Sequence, residues 1–219
     1  MSGALENITI PTYIINLPER NERRKHIIAQ FKGKTEFSIQ VVEACEHKIE
    51  AIGLWRSMIK VIQLAIKNED DVIIICEDDH EFTKAYQKEY LLTNIIEAHE
   101  QGVEILSGGI GNFGYALPLT LNRMWITPFQ STQFIVLYKS IFPKMLKYKF
   151  KKNDAADIVL SGLTSHKMIL CPFISKKKDF GSSDIMAVYD EKPGLVQEMF
   201  VRTEERLERI RNAYIRYLS

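Results

Sequence analysis

Residues 72–82 read VIIICEDDHEF: five apolar residues run without any turn residue into Glu77, Asp78 and Asp79. An unbroken apolar run of this length describes a strand buried on both faces, the pattern of a mostly parallel sheet covered by helices. In such α/β folds ligands bind beyond the carboxyl ends of the strands, where these three carboxylates fall. Acids in that position either solvate the chain and cap the next element, or hold a ligand. Carboxylate oxygens are hard donors suited to Mg²⁺ or Mn²⁺, ions that take few protein groups and complete their shells with water and substrate phosphates.

The flanking chain repeats the alternation of strands and helices. TYIINL (12–17) is an apolar run stopped by Pro18, and Ile27, Ile28 and Phe31 then recur at helical spacing behind a charged stretch. In 54–66, Trp55, Met58, Ile59, Ile62 and Ala65 share one helical face, and Asn68 to Asp71 break the helix before the 72–76 strand. A helix over 86–101, a strand at VEILSG and a glycine-rich loop GGIGNFG follow. Residues 124–138 read as two strands or a hairpin interrupted near Gln130 and Ser131, 154–166 as helical, and KMILCPFIS as the last strand. The expected fold is therefore α/β: one Rossmann-like domain over 1–190 with a mostly parallel central sheet, and a C-terminal amphipathic helix within 191–219.

Composition narrows the partners. With 29 basic and 28 acidic residues the net charge is +1, so no global charge draws the chain to nucleic acid or to an anionic membrane. Cys45, Cys76 and Cys171 are widely spaced and two lie in apolar runs, as suits reduced thiols in a cytoplasmic protein. No apolar run reaches the ~20 residues of a membrane span, and the first residues lack the pattern of a secretory signal. The terminal helix places Met199, Leu207, Ile210, Tyr214 and Leu218 near one face, available to the catalytic domain or to a second subunit as a homodimer contact. Its arginines, Arg202, Arg206, Arg209, Arg211 and Arg216, offer a way to lean on acidic lipid at the inner face of a membrane, although Glu198, Glu204, Glu205 and Glu208 dilute that face.

INLPERNERR places Asn16 and Leu17 at the end of the first strand and Arg20, Arg23 and Arg24 in the turn and helix after it. Guanidinium groups there suit a diphosphate, while Glu19 and Glu22 would equally make them a solvated helix face. Taken with VIIICEDD, with Gly53 and Ser57 near the start of the intervening helix, and with STQFIVLYKSIFPKML, DAADIVLSGL and CPFISKKKDFGSSDI in that order, the chain resembles glycosyltransferase family 25 over residues 12–185. This is the lipopolysaccharide-biosynthesis type of sugar transferase, with a GT-A fold. The chain departs from the family at Met58, where members commonly carry a histidine after the helix serine, and in the loop before Trp125, which has no counterpart in the family pattern.

The resemblance implies a metal-dependent, inverting transfer from a nucleotide sugar, most often a UDP-sugar, to a glycan or lipid-linked glycan. It implies Mn²⁺ or Mg²⁺ held by Asp79, with Asp78 helping and Glu77 on a ribose hydroxyl or the strand end. Asn16, Leu17, Arg20, Arg23, Arg24 and Ser57 would bind the nucleotide. Asp157 is the candidate base and Asp184 the second candidate; as a first-turn residue Asp157 is equally suited to the helix dipole alone. His80 is read as a surface histidine, since imidazole matches Mg²⁺ poorly. Lys176 to Lys178 would close over the diphosphate or simply be solvated. Other acceptors (a protein, a peptide, a modified DNA base) and a non-catalytic nucleotide- or sugar-binding domain stay open, whereas a metal phosphohydrolase finds no second metal cluster.

Overall fold

The computed structural model describes residues 5–180 and 194–218. In chain order these form β1 (Ile10–Asn16), α1 (Asn21–Phe31), β2 (Phe37–Glu43), α2 (Glu50–Lys67), β3 (Val72–Glu77) and β4 (His80–Phe82). Next come α3 (Lys88–Glu100), β5 (Ile105–Ser107), β6 (Asn112–Pro118), β7 (Arg123–Gln130) and β8 (Phe134–Tyr138). The chain continues with α4 (Phe142–Lys147), α5 (Ala156–Gly162), β9 (Lys167–Leu170), β10 (Ser175–Lys177) and α6 (Leu195–Leu218). Eight strands make one sheet in the order β2-β1-β3-β8-β5-β9-β7-β6, and β4 pairs with β10 in a separate ribbon. Only β8 and β7 run against the other six, so the sheet is mixed in its pairings and mostly parallel in its strand directions.

The continuous apolar runs are explained by burial on both faces. Along β3, Ile73 and Ile75 join the core under α2, α4, α5 and α6, whereas Ile74 and Cys76 join the core under α1 and α3. β1 divides Tyr13 and Ile15 from Ile10 and Ile14 in the same way, as the two-residue period of a strand requires. The helices α1 and α2 lie on opposite faces because β1 connects to β2 in one direction across the sheet and β2 returns past β1 to β3 in the other. The order 2-1-3 makes the carboxyl ends of β1 and β3 a topological switch point, where the two outgoing connections part and leave a crevice.

Several elements differ from the sequence reading. Residues 123–138 are two strands that never pair with each other: β7 lies between β9 and β6, and β8 between β3 and β5. The stretch read as a glycine-rich loop runs into the start of β6, whose Gly114 lies against Pro128 of β7 so closely that a Cβ would sit 2.5 Å from Pro128 Cδ. Met58, the departure from the family pattern, is a fully buried core residue of α2. The first half of α6 packs inside the chain: Phe200 and Leu207 are buried in the core, Thr203 Oγ1 donates to Gly111 O at 2.6 Å, and Glu204 Oε1 accepts from Phe173 N at 2.8 Å. Of the face suggested for a second subunit, Leu207 is thus buried against the chain's own sheet, while Met199, Ile210 and Tyr214 are partly exposed and Leu218 is exposed.

Candidate active site

A cleft of about 440 Å³ opens at the switch point. Its walls are Ile15 of β1 with Leu17, Glu19 and Arg20 after it, residues 44–48 after β2, Glu50, Gly53, Leu54 and Ser57 from the first turns of α2, and Glu77 and Asp78 at the end of β3. The α2 N-terminus, preceded by Ile49, has no side-chain cap, so its end of the helix dipole faces the cleft without a competing acceptor from the capping position. Gly53 is required here by close approach: a Cβ would lie 2.6 Å from Cys45 O. Ser57 completes the same contact by donating to Gly53 O and accepting from Cys45 N, both at 2.8 Å. Its hydroxyl therefore fixes the cleft wall, and Ser57 is itself one of the wall residues.

Asp78 lines the crevice, and its carboxylate is held by Asn16 and Arg23, which are not themselves wall residues. Asn16 Nδ2 donates to Asp78 Oδ2 at 2.9 Å, and Arg23 of α1 approaches Asp78 Oδ1 at 3.5 Å while its guanidinium lies 5.0 Å from the centre of the Phe180 ring. Asn16 is 3% exposed, so burial and the short amide contact hold the carboxylate in one orientation. Arg20 and Leu17 line the cleft. Arg24 is exposed on α1 and is not one of the cleft-lining residues.

Glu77 and Asp79 face a different cation. Lys177 of β10 places Nζ 3.2 Å from Glu77 Oε2 and 3.3 Å from Asp79 Oδ2, while Thr132 Oγ1 donates to Glu77 Oε1 at 2.6 Å. Burial, reinforced by the neighbouring Glu77 and Asp78 charges, pushes the Asp79 carboxyl up to about 6 against the pull of Lys177 and Arg23. Burial works against the Lys177 charge, but the two carboxylates outweigh it and hold the ammonium above its ordinary value. The lysine is set in place by the ribbon: Lys177 is registered opposite His80, and Lys178 N donates to Asp79 O at 2.7 Å.

His80, expected at the surface, is fully buried among Phe31, Phe82 and Phe134, and its Nδ1 meets Ser175 Oγ at 2.8 Å. Burial lowers its imidazole to about 3, so it is a neutral core residue that anchors β4 to β10. Asp157 lies in the first turn of α5, where Oδ2 accepts from Ser131 N at 2.9 Å and Oδ1 from Ile158 N at 2.8 Å. Ser131 has a positive φ of 87°, a strained conformation for a residue with a Cβ, and the Asp157 carboxylate pins it. Because Thr132 follows directly, this turn carries the hydroxyl that touches Glu77. Asp184 lies outside the described residues.

The acidic triplet, read from sequence as a metal site, is met by cations of the chain itself. Asp78 is engaged by Asn16 and Arg23, and Glu77 and the Oδ2 oxygen of Asp79 by Lys177, while Asp79 Oδ1 is buried without a hydrogen-bond partner; among the described residues no group of three His, Cys, Asp or Glu side chains converges as metal ligands would. The donor set fits an ammonium between two carboxylates better than Mn²⁺ or Mg²⁺. Sequence reasoning also passed over Thr132 and residues 44–48. The apolar helix face at 54–65 marked where α2 begins, but nothing in the residues before it marked them as a cleft wall.

The fold and the crevice define an α/β domain with a charged cleft at a switch point. No family model matches the chain, and no curated protein does. Among solved structures it is similar to A197 from STIV, with a TM-score of 0.53 and 10% identity over 78% of this chain and 86% of that one. This likeness shows the fold. Weaker likenesses are to a glycosyltransferase involved in the glycosylation of the major capsid of PBCV-1 (TM-score 0.41, 12% identity, 63% and 64% covered) and to apo UDP-glucose pyrophosphorylase (TM-score 0.48, 11% identity, 96% and 82% covered). Among the described residues no helix is long and apolar enough to cross a membrane.

Proposed function

We propose that this chain is a glycosyltransferase that binds a nucleotide sugar, in the first instance a UDP-sugar, across the ends of β1 and β3 and transfers the sugar to a glycan or lipopolysaccharide-type acceptor. The observation that carries this reading is the knot in which Asn16 and Arg23 hold Asp78, itself a wall residue of the switch-point cleft, so that the INLPERNERR and VIIICEDD segments meet in space. The cleft has an apolar wall in Ile15, Leu17 and Leu54 for a base and ribose, and Arg20 and the α2 N-terminus for a diphosphate.

The transfer is a single displacement. The acceptor hydroxyl oxygen forms the new bond to the anomeric carbon, the bond from that carbon to the diphosphate oxygen breaks, and its electron pair leaves with the nucleoside diphosphate. Attack from the face opposite the leaving group inverts the carbon. The hydroxyl proton passes to a carboxylate base, for which Asp157 is the candidate; each of its oxygens accepts one backbone N–H and retains a lone pair for the proton. Arg20 and Arg23 bind the diphosphate and stabilise its growing charge in a partly closed site.

Thermal unfolding with UDP, GDP, ADP and CDP tests the donor site without an acceptor. A ligand at a hundredfold excess over its Kd stabilises the folded state by about 2.7 kcal/mol. For a chain of this size that is a rise of roughly 5–11 °C. One nucleotide should give this rise, and Arg23→Ala should abolish most of it. If none of the four raises the midpoint, the transferase reading fails.

A further inference from the structure

We infer that Lys177 takes the place of the divalent metal in this site, so that nucleotide binding and transfer need no added cation; this rests on the transferase reading above. The ammonium occupies the position between Glu77 and Asp79 that an ion bridging them would take, 3.2 Å from one and 3.3 Å from the other. It is built in rather than incidental. β10 is locked to β4 through the Ser175, Lys176 and Lys177 register, the Lys178 amide is bonded to Asp79 O, and the Ser175 hydroxyl meets His80. The Lys177 side chain is 19% exposed, and Glu77 and Asp79 are 13% and 16% exposed, so water does little to screen the trio.

A divalent ion entering the same space would face the ammonium at contact distance in a poorly screened site, and would bind only by expelling it. Nor do Asp78 and Arg23 offer an alternative seat, since the carboxylate is already bridged to Asn16 and to the guanidinium. The charge available to a departing diphosphate is therefore fixed by the chain: Arg23 on one side of the acidic triplet and Lys177 on the other. As the bond between the anomeric carbon and the phosphate oxygen breaks and its electron pair stays with the diphosphate, these cations meet the new charge, while the acceptor proton goes to the base.

The experiment is a thermal shift with UDP, GDP, ADP and CDP on the parent protein, Lys177→Met and Lys177→Arg, each in EDTA and in Mn²⁺. The parent should show the same nucleotide affinity in both media, within about twofold, and Lys177→Met should weaken it at least about tenfold in EDTA. Mn²⁺ should restore part of that loss, because the variant vacates the space between the carboxylates. Lys177→Arg, which keeps the charge, should bind in EDTA, and with the parent measurement it decides the matter should Lys177→Met fail to fold. A parent shift that appears only with Mn²⁺ overturns this inference and leaves the transferase reading standing, as does Lys177→Met binding as tightly as the parent in EDTA. No shift under any condition overturns both.

Discussion

Replacing Lys177 by methionine keeps the length and apolar stem of the side chain but removes the charge between Glu77 and Asp79. Deleting one partner of a buried ion pair costs about 3–5 kcal/mol, and because Glu77 keeps its Thr132 hydrogen bond the lower end, about 3 kcal/mol at pH 7.5, is expected. For a chain of this size that is a fall in Tm of roughly 6–12 °C. The pH dependence is the sharper test. Asp79 is raised from its ordinary 3.8 to about 6, so between those values the native state holds more protons than the unfolded chain and stability falls as pH climbs. Lys177 opposes this rise, and without it the Asp79 carboxyl moves further up and stays protonated over a wider range. A protonated Asp79 needs no counter-charge. The variant's deficit should therefore shrink by about half or more on going from pH 7.5 to pH 5. Lys177 itself, held above its ordinary 10.5, contributes fully throughout that window, so the change reports the carboxylates alone. Urea unfolding of both proteins at the two pH values measures it. A deficit that is the same at both, or smaller than about 1 kcal/mol at pH 7.5, would show that Lys177 is a surface lysine and not the counter-charge of the triplet.

Gly53→Ala would drive a methyl into Cys45 O at the cleft wall; a loss of about 1–3 kcal/mol and a weaker nucleotide shift are expected, read by denaturation and thermal shift. Burial pushes the thiols of Cys76 and Cys171 up, whereas Cys45 is partly exposed in the cleft. Under native conditions a thiol reagent should thus label one cysteine quickly, and the nucleotide that binds should slow it; rapid labelling of two or three would contradict the cleft geometry. Asp157→Asn keeps a carbonyl acceptor for the Ser131 amide, so the fold should lose only about 1 kcal/mol and the nucleotide shift should persist. Transfer should fall by roughly 10²–10⁴-fold if Asp157 takes the proton, and a variant with parent kcat would remove it from that role.

The central elements were legible because the strands are apolar on both faces and α2 carries an unbroken apolar face. β1, β3 and α2 show their burial directly in the residue pattern, and the acids after β3 lie at the strand end as that pattern implies. The edges were not legible. β2 carries Ser38, Ile39 and Gln40 exposed in succession, and β6 exposes Tyr115 and Leu117 on its outer face, so neither shows the polar-out alternation that marks a half-buried strand. In β6 the glycine that suggested a loop is the residue that lets the strand lie against Pro128.

The same distinction separates what was read and missed in the site. Asn16, Arg20, Arg23, Glu77 and Asp78 belong to the two neighbouring strand ends or to the first turn after them, so local order predicts their meeting once the parallel pair is recognised. Lys177 comes from a strand 100 residues further along the chain, and its role depends on a pairing of β10 with β4 that neither segment announces. In a strand, consecutive side chains alternate between faces. Lys176 therefore reaches Glu81 on one side while Lys177 reaches Glu77 and Asp79 on the other, and Lys178 returns to lie over Phe180. A run of three lysines reads as uniform solvated charge; paired with the ribbon it becomes one buried ammonium and two flanking cations. The acidic triplet likewise reads as a demand for a metal only while its partner in the sequence is unknown, because three carboxylates specify that positive charge must be supplied without specifying what carries it.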